Sequence, residues 1–431
     1  MDEMLLAVAL LAVLFFLLGS GIWVGASLIG CAIVGMELFT GRPTGDSMAI
    51  TIWGSISSWT LTSLPLFIWM GEILFRTKLS ETLFKGLTPW MYRLPGGLLH
   101  VNITGSAVFA AISGSSAATV ATVGKMSIPE LKKRRYSDRM IVGTLAGAGT
   151  LGLLIPPSVS LIIYAVTVNE SIAKLFMAGI IPGLMLAGLF MGYVALSSFF
   201  RKSGETDDLS FNWRDKASAL VSLSPIVALI ICVIGSIYAG IATATEAAVL
   251  GVVGSLLIAL MQKSLDWQSF RDSLMGAVKT SSMIAFILMG AHFLSLAMGF
   301  TGLPRHLAEV IGGWELSPLM LIVILTVFYI ILGCFLDGLS SIVLTMAVIE
   351  PLVRQAGFDM IWFGIYLMIV VEMAQITPPV GFNLFVLQSM TGHNMAFIAR
   401  AAFPMFLLMI MAVFIMVWIP ELATFLPNAM K

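Results

Sequence analysis

Two stretches decide how this chain folds: Gly147-Ala148-Gly149-Thr150-Leu151-Gly152-Leu153-Leu154-Ile155-Pro156-Pro157-Ser158 and Ala374-Gln375-Ile376-Thr377-Pro378-Pro379-Val380-Gly381. Each sets two successive prolines inside an apolar run. Proline removes an amide donor and clashes with the preceding turn, so a pair should break a helix. The surroundings say what solvent the break sits in. Of 431 residues, 59% are hydrophobic and 11% charged, against about 25% charged in soluble domains. Apolar runs near bilayer length recur from end to end, and they are continuous, without the alternation of a membrane β-barrel. The spans are therefore helices in lipid. Bare backbone at membrane depth is tolerated only where it is buried in protein or lines a cavity. Each break is thus expected to face a cavity, with half-helix N-termini offered to an anion and freed carbonyls to a cation. An ordinary kink is the plainer alternative for either pair taken alone.

Working outward, spans are expected near 3–19, 21–40, 60–76, 139–167, 174–200, 217–239, 243–261, 279–298, 359–390 and 396–419. The first run follows Asp2 and Glu3 instead of Lys or Arg, and a second apolar run succeeds it. It reads as a retained span and not as a signal peptide. Short amphipathic pieces carrying Trp53, Trp59, Trp90 and Trp267 read as interfacial. Most of the 23 Lys and Arg fall in four stretches. Arg76, Lys78, Lys85 and Arg93 lie in 76–93; Lys125, Lys132, Lys133, Arg134, Arg135 and Arg139 in 125–139. Arg201, Lys202, Arg214 and Lys216 lie in 201–216; Lys263, Arg271 and Lys279 in 263–279. Positive loops stay cytoplasmic, which puts both termini on the far side.

The stretch 95–124 then has cytoplasmic charge at both ends. It must enter and leave on one side, as a re-entrant hairpin with its tip at Ser113-Gly114-Ser115-Ser116. The stretch 317–350 is by the same logic a hairpin from the opposite side, with its tip at Asp337-Gly338-Leu339-Ser340-Ser341. The alternative, one complete span for each, would break the charge alternation. The halves also echo each other: Phe67-Ile68-Trp69-Met70-Gly71 matches Phe286-Ile287-Leu288-Met289-Gly290, and Leu79, Leu83, Leu87 and Trp90 match Leu303, Leu307, Ile311 and Trp314. Gly114-Ser115-Ser116 matches Gly338-Leu339-Ser340, Pro156-Pro157 matches Pro378-Pro379, and Pro182 matches Pro404. An ordered series at near-constant offset reads as an internal repeat. With the hairpins on opposite sides the repeat is inverted, the construction of many secondary transporters.

Chemistry is sought at the tips and breaks. Ser113, Ser115, Ser116 and Thr150 could build one sodium site; Ser340, Ser341 and Thr377 its repeat counterpart, since a hard cation takes oxygen ligands. Any one hydroxyl could instead bond its own helix backbone. Asp337 is favoured for a structural or ion-linked role, because a mid-span carboxylate costs about 2.5–3.5 kcal/mol on insertion scales. Glu72, Glu246 and Glu372 stand at depth or near an interface and keep proton coupling open. No Arg lies clearly mid-span; Arg305 is an outlying anion contact. Enzyme motifs fail. Lys125 follows Gly124, but Thr119 stands where a phosphate-cradling loop needs Gly. The serine-rich tip has no Gly-x-Ser-x-Gly elbow. An intramembrane hydrolase would need a His opposite that tip, with His100 and His292 the ones in apolar stretches. Cys31, Cys232 and Cys334 are scattered and read as small buried hydrophobes. The histidines show no metal-ligand spacing, and zero net charge leaves no nucleic-acid footprint.

The run Gly114-Ser115-Ser116-Ala117-Ala118-Thr119, the run Gly149 to Ser158 and the run Thr377-Pro378-Pro379-Val380-Gly381-Phe382-Asn383 resemble the large membrane subunit of tripartite ATP-independent periplasmic (TRAP) transporters, the DctM-like family. Leu64-Pro65-Leu66-Phe67-Ile68 and Glu246-Ala247-Ala248 fit it too, and the resemblance covers nearly the whole chain. It implies sodium-coupled uptake of a small organic acid such as a C4-dicarboxylate or sialic acid. It implies a separate small membrane subunit of about four spans and a periplasmic solute-binding protein. It implies no enzymatic activity and no cofactor beyond sodium as coupling ion. The site carried over comprises Ser113, Gly114, Ser115, Ser116, Gly149, Thr150, Pro156, Asp337, Gly338, Ser340, Ser341, Thr377, Pro378 and Gly381, with sodium held by Ser113, Ser116, Thr150, Ser340 and Thr377.

The expected architecture is an all-α polytopic protein of the bacterial inner membrane: an inverted repeat with two re-entrant hairpins and two broken helices, of elevator type. Residues 1–60 would be N-terminal scaffold, and 61–200 the first repeat with hairpin 95–124 and broken helix 139–167. Residues 201–278 would be cytoplasmic loop, scaffold spans and interfacial arm, and 279–431 the second repeat with hairpin 317–350 and broken helix 359–390. The alternatives in function are an autonomous sodium- or proton-coupled anion symporter without a binding protein, a channel, and an intramembrane hydrolase.

Overall fold

The structure, a computed structural model, describes residues 3–77, 79–200, 211–302, 317–334, 336–379 and 381–430. All regular elements among them are helical, and the chain is a polytopic membrane protein. Five of the described helices are long and apolar enough to cross a bilayer: Ile172–Phe200, Trp213–Tyr238, Ala244–Met261, Trp267–Thr301 and Met395–Trp418. Asp138–Leu154 and Val159–Val168 together make a further span, bent by 42°.

Burial sorts the helices into two kinds. Trp213–Tyr238 hides one stripe, Ala219, Leu223, Ile226, Leu229, Val233 and Ile237. That spacing is the single apolar face of an amphipathic pattern, yet its other face is apolar as well, with Val221 and Ile231 exposed. Such a helix faces lipid. Met360–Gln375 is the opposite case: Met360 and every residue from Trp362 to Gln375 are buried. A helix apolar all round belongs in the interior, and this one is enclosed on every side. Asp359 starts it, accepting bonds from the amides of Ile361 at 2.8 Å and Trp362 at 2.9 Å. Asp359→Ala leaves those amides without their acceptor. It is expected to cost about 1 kcal/mol, read as a lower thermal midpoint of the purified protein.

Each stretch expected as a hairpin holds two helices. The first runs Leu99–Ser113, a turn at Gly114–Ser115, then Ser116–Lys133. Gly114 takes φ 56°, where a side chain would be strained, and so permits the tight reversal. The second runs Pro318–Gly333 and Gly338–Gln355. Both broken helices are present too: Asp138–Gly149 and Leu151–Leu154 before Val159–Val168, and Met360–Gln375 before Phe382–Thr391. The order hairpin, broken helix, long helix thus occurs twice, closing with Ile172–Phe200 and Met395–Trp418.

Several expected boundaries move. The first hairpin is not 95–124: its second helix continues to Lys133, with Lys132 and Lys133 complementing the negative end of the helix dipole. The positive stretch 125–139 is therefore mostly helix. The stretch 263–279 is likewise no loop, because Trp267–Thr301 is one helix of 35 residues containing Arg271 and Lys279. Arg214 and Lys216 open the helix Trp213–Tyr238. The expected span 60–76 shortens to Ser63–Phe75 behind a 3-10 turn, Trp59–Thr62. The second tip also shifts. Its turn lies before Gly338, so Asp337 is the N-cap and Gly338 to Ser341 form the first helical turn. The two caps pair Ser115 with Asp337, where the sequence comparison had paired Ser115 with Leu339. Glu246 closes a capping box with Thr243 at the start of Ala244–Met261 and is not held at depth. Arg305 and the matches Leu303, Leu307, Ile311 and Trp314 lie outside the described residues.

Candidate functional site

The tips and breaks converge on one cavity of 460 Å³. Ser113 to Ala118 supply the first tip, and Asp337, Gly338 and Leu339 the second. Leu153 and Val159 flank the first break, and Gln375, Phe382 and Asn383 the second. The remaining wall comes from Ser63–Phe75, through Ile68, Gly71, Glu72 and Phe75, and from Trp267–Thr301, through Thr280, Met283 and Ile284. No Lys or Arg lines it among the described residues, and Glu72 is paired with Arg76 at 3.2 Å.

The first tip is tied together by its own hydroxyls. The Thr119 hydroxyl donates to the Ser115 carbonyl at 2.7 Å and lies 3.0 Å from Ser113 Oγ. Ser115 Oγ caps the helix by accepting from the Ala118 amide. Gly152 lets this tip seat against the first break: a Cβ there would stand 2.8 Å from the carbonyl carbon and oxygen of Ser115 and from Ser116 Cα. At the second tip, Asp337 accepts from the amides of Leu339 at 3.2 Å and Ser340 at 3.4 Å. Two helix N-termini, both positive ends, are therefore brought to the same cavity.

Ser116 is the expected site residue whose side-chain bonds reach furthest across the fold. It is buried, 3.1 Å from the Gly149 carbonyl and 2.9 Å from Glu372 Oε2, and it accepts from Asn383 Nδ2 at 2.6 Å. One serine thereby joins the first hairpin to both broken helices. Other expected residues are placed differently. The hydroxyls of Thr150 and Thr377 donate to their own helix carbonyls, Gly147 and Met373, each at 2.6 Å. Ser340 and Ser341 are buried in the first turn of Gly338–Gln355, and the Ser341 hydroxyl has no partner among the described residues. Pro156–Pro157 and Pro378–Pro379 are cis peptide bonds within the breaks, and Gly381, at φ 36°, opens Phe382–Thr391.

Sequence reasoning left Glu372, Gln375 and Asn383 out of the site. Glu372 and Asn383 have no exposed surface. Glu372 Oε1, Gln375 Nε2 and Asn383 Oδ1 find no partner among the described residues. The available signal was spacing: Glu372 and Gln375 are three apart on a helix entering a break, so they share a face. The oxygens here fit a hard monovalent cation, whereas Gln375 Nε2 is a donor, and no cluster of His, Cys, Asp or Glu occurs among the described residues. Neither of the two histidines in apolar stretches lines the cavity. His100 Nε2 is bonded to the Pro95 carbonyl at 2.8 Å, and His292 Nδ1 lies 3.2 Å from Ser55 Oγ.

Comparison with known proteins adds the family. The family model described as "Tripartite ATP-independent periplasmic transporter, DctM component" matches residues 11–422. A C4-dicarboxylate TRAP transporter large permease protein DctM of Rhodobacter capsulatus is 31% identical over 399 residues, covering 89% of this chain and 90% of that one. The isethionate TRAP transporter permease protein DctMQ of Oleidesulfovibrio alaskensis is 30% identical over 423 residues. That match covers 96% of this chain, which spans 64% of the length of that relative. Among solved structures, the Alcanivorax borkumensis YdaH transporter shares the fold at a TM-score of 0.60 and 11% identity, with 88% of this chain and 87% of that one covered.

Proposed function

This chain belongs to the family of DctM components of tripartite ATP-independent periplasmic transporters, and from that premise we propose that it imports a small organic acid by sodium-coupled symport. It is a transporter component and not an enzyme. The observation that carries the reading is the single cavity onto which both capped hairpin N-termini and both broken helices open, with no Lys or Arg in its described lining. An anion there must be met by helix amides, hydroxyls and a co-bound cation instead of a basic side chain. Sodium is the cation whose ligands match the oxygens present. The expected sodium ligands are Ser113, Ser116, Thr150, Ser340 and Thr377. Thr150 and Thr377 would bind through oxygen lone pairs, since their protons are spent on helix carbonyls.

The cavity wall is divided, with tips and breaks on one side and Ser63–Phe75 and Trp267–Thr301 on the other. That division supports an elevator, in which the hairpin-bearing core slides against a scaffold. In this reading the halves are inverted repeats, the hairpins enter from opposite faces, and both termini are periplasmic in the inner membrane. A periplasmic solute-binding protein delivers the substrate, and a small membrane subunit of about four spans completes the scaffold. The curated relatives are named for C4-dicarboxylate and isethionate. We favour a carboxylate such as a C4-dicarboxylate or sialic acid.

The test is uptake into proteoliposomes holding the chain and its small subunit. Accumulation should require both an inward sodium gradient and the binding protein. Uptake that ignores the gradient sinks symport and points to a channel; uptake without the binding protein favours an autonomous symporter. Asp337→Asn keeps a capping oxygen and removes a charge beside the cavity. It should raise the sodium concentration for half-maximal uptake about tenfold, equivalent to about 1.4 kcal/mol. An unchanged value would remove Asp337 from the ion site.

A further inference from the structure

We propose that Glu372 and Asn383 are positioning residues, which hold Ser116 and with it the tip of the first hairpin in the geometry that binds the coupling cation. The inference rests on the sodium reading above and adds two residues and a role to it.

Hydrogen-bond arithmetic carries the argument. A serine hydroxyl has one proton to give and two lone pairs to receive with. Ser116 Oγ faces two acceptors, the Gly149 carbonyl at 3.1 Å and Glu372 Oε2 at 2.9 Å, and takes a proton from Asn383 Nδ2 at 2.6 Å. It cannot donate to both acceptors. Its one proton serves the first break and Glu372 in turn, while Asn383 fills a lone pair, so one oxygen meets three buried groups on the two broken helices. Glu372 and Asn383 have no exposed surface, so water does not replace Ser116 as their partner.

The consequence is directional. Ser116 is thus held between the first break and the second broken helix, with one lone pair left over for the cation. The tip is thereby fixed to Gly149 from one side and to Glu372 and Asn383 from the other. Ser113, Gly114 and Ser115, which line the cavity just ahead, are placed by that anchorage.

Sodium itself is the probe. The purified full chain is heated in sodium chloride or choline chloride across a concentration series, and the sodium-dependent rise in the unfolding midpoint gives an apparent affinity. Glu372→Met keeps the volume and removes the hydrogen-bonding oxygens; its apparent sodium affinity should fall about tenfold, as a lost buried hydrogen bond would predict. Glu372→Gln keeps an accepting oxygen for the Ser116 hydroxyl and should restore affinity to within about threefold of the parent. Asn383→Leu attacks the bridge from the other element and should weaken sodium binding as Glu372→Met does. A purely structural role would lower the midpoint in choline and leave sodium affinity alone, which overturns the proposal. Glu372→Gln as impaired as Glu372→Met also overturns it, since the carboxylate would then act as a charge on the ion. A parent protein equally stable in sodium and choline refutes the sodium reading, and the inference with it; that outcome is seen without any variant.

Discussion

Gly152→Val is expected to reduce sodium-dependent uptake about a hundredfold, the scale on which a shift of about 1 Å costs an oriented site. The reason is backbone against backbone. The nearest atoms to a Cβ at Gly152 are the carbonyl carbon and oxygen of Ser115 and Ser116 Cα, all at 2.8 Å. A flexible side chain could swing aside, but main-chain atoms of a hairpin tip cannot without moving the tip. The displaced tip takes Ser116 away from Gly149, Glu372 and Asn383 together. The measurement is initial uptake rate normalised to the amount of protein in the membrane. A rate close to the parent's would mean that the contact between the first hairpin and first break is not needed for transport.

The second large effect is expected from Ser116→Ala. It removes one oxygen and leaves three buried groups short of a partner, and each such group costs about 1–3 kcal/mol. Both the stability of the protein and its response to sodium should fall, with sodium dependence of uptake largely lost. The two variants differ in a useful way. Gly152→Val moves the tip with its chemistry intact, whereas Ser116→Ala keeps the tip's shape and removes its bonds. A Ser116→Ala protein with the parent's sodium dependence would exclude this serine from the ion site.

The two breaks were legible because their cause is local. Two prolines in an apolar run have one outcome, and the runs ending at Pro157 and Pro379 behave as that chemistry requires. The hairpin tips were legible in part. Gly114 marks its own turn, but Asp337 was read as one of five tip residues when its carboxylate caps a helix that begins at Gly338. Helix ends were misplaced wherever Lys and Arg were taken as loop, since in Ser116–Lys133 and Trp267–Thr301 the charges ride on helix. Glu372 was visible only as an acid of uncertain depth. That it meets Ser116, 256 positions away in sequence, is a property of packing which no local pattern encodes. Thr150 and Thr377 show the converse: each has the right residue type beside a break, yet its proton goes to its own helix.

The helix Trp267–Thr301 has a mechanical consequence. Its 35 residues extend about 52 Å at about 1.5 Å per residue, well beyond a hydrocarbon layer of about 30 Å. It must lean or project into the headgroups, and the same rod presents Thr280, Met283 and Ile284 to the cavity. Acyl-chain length then becomes a control on transport, because a thinner or thicker bilayer re-tilts a rod that forms part of the cavity wall.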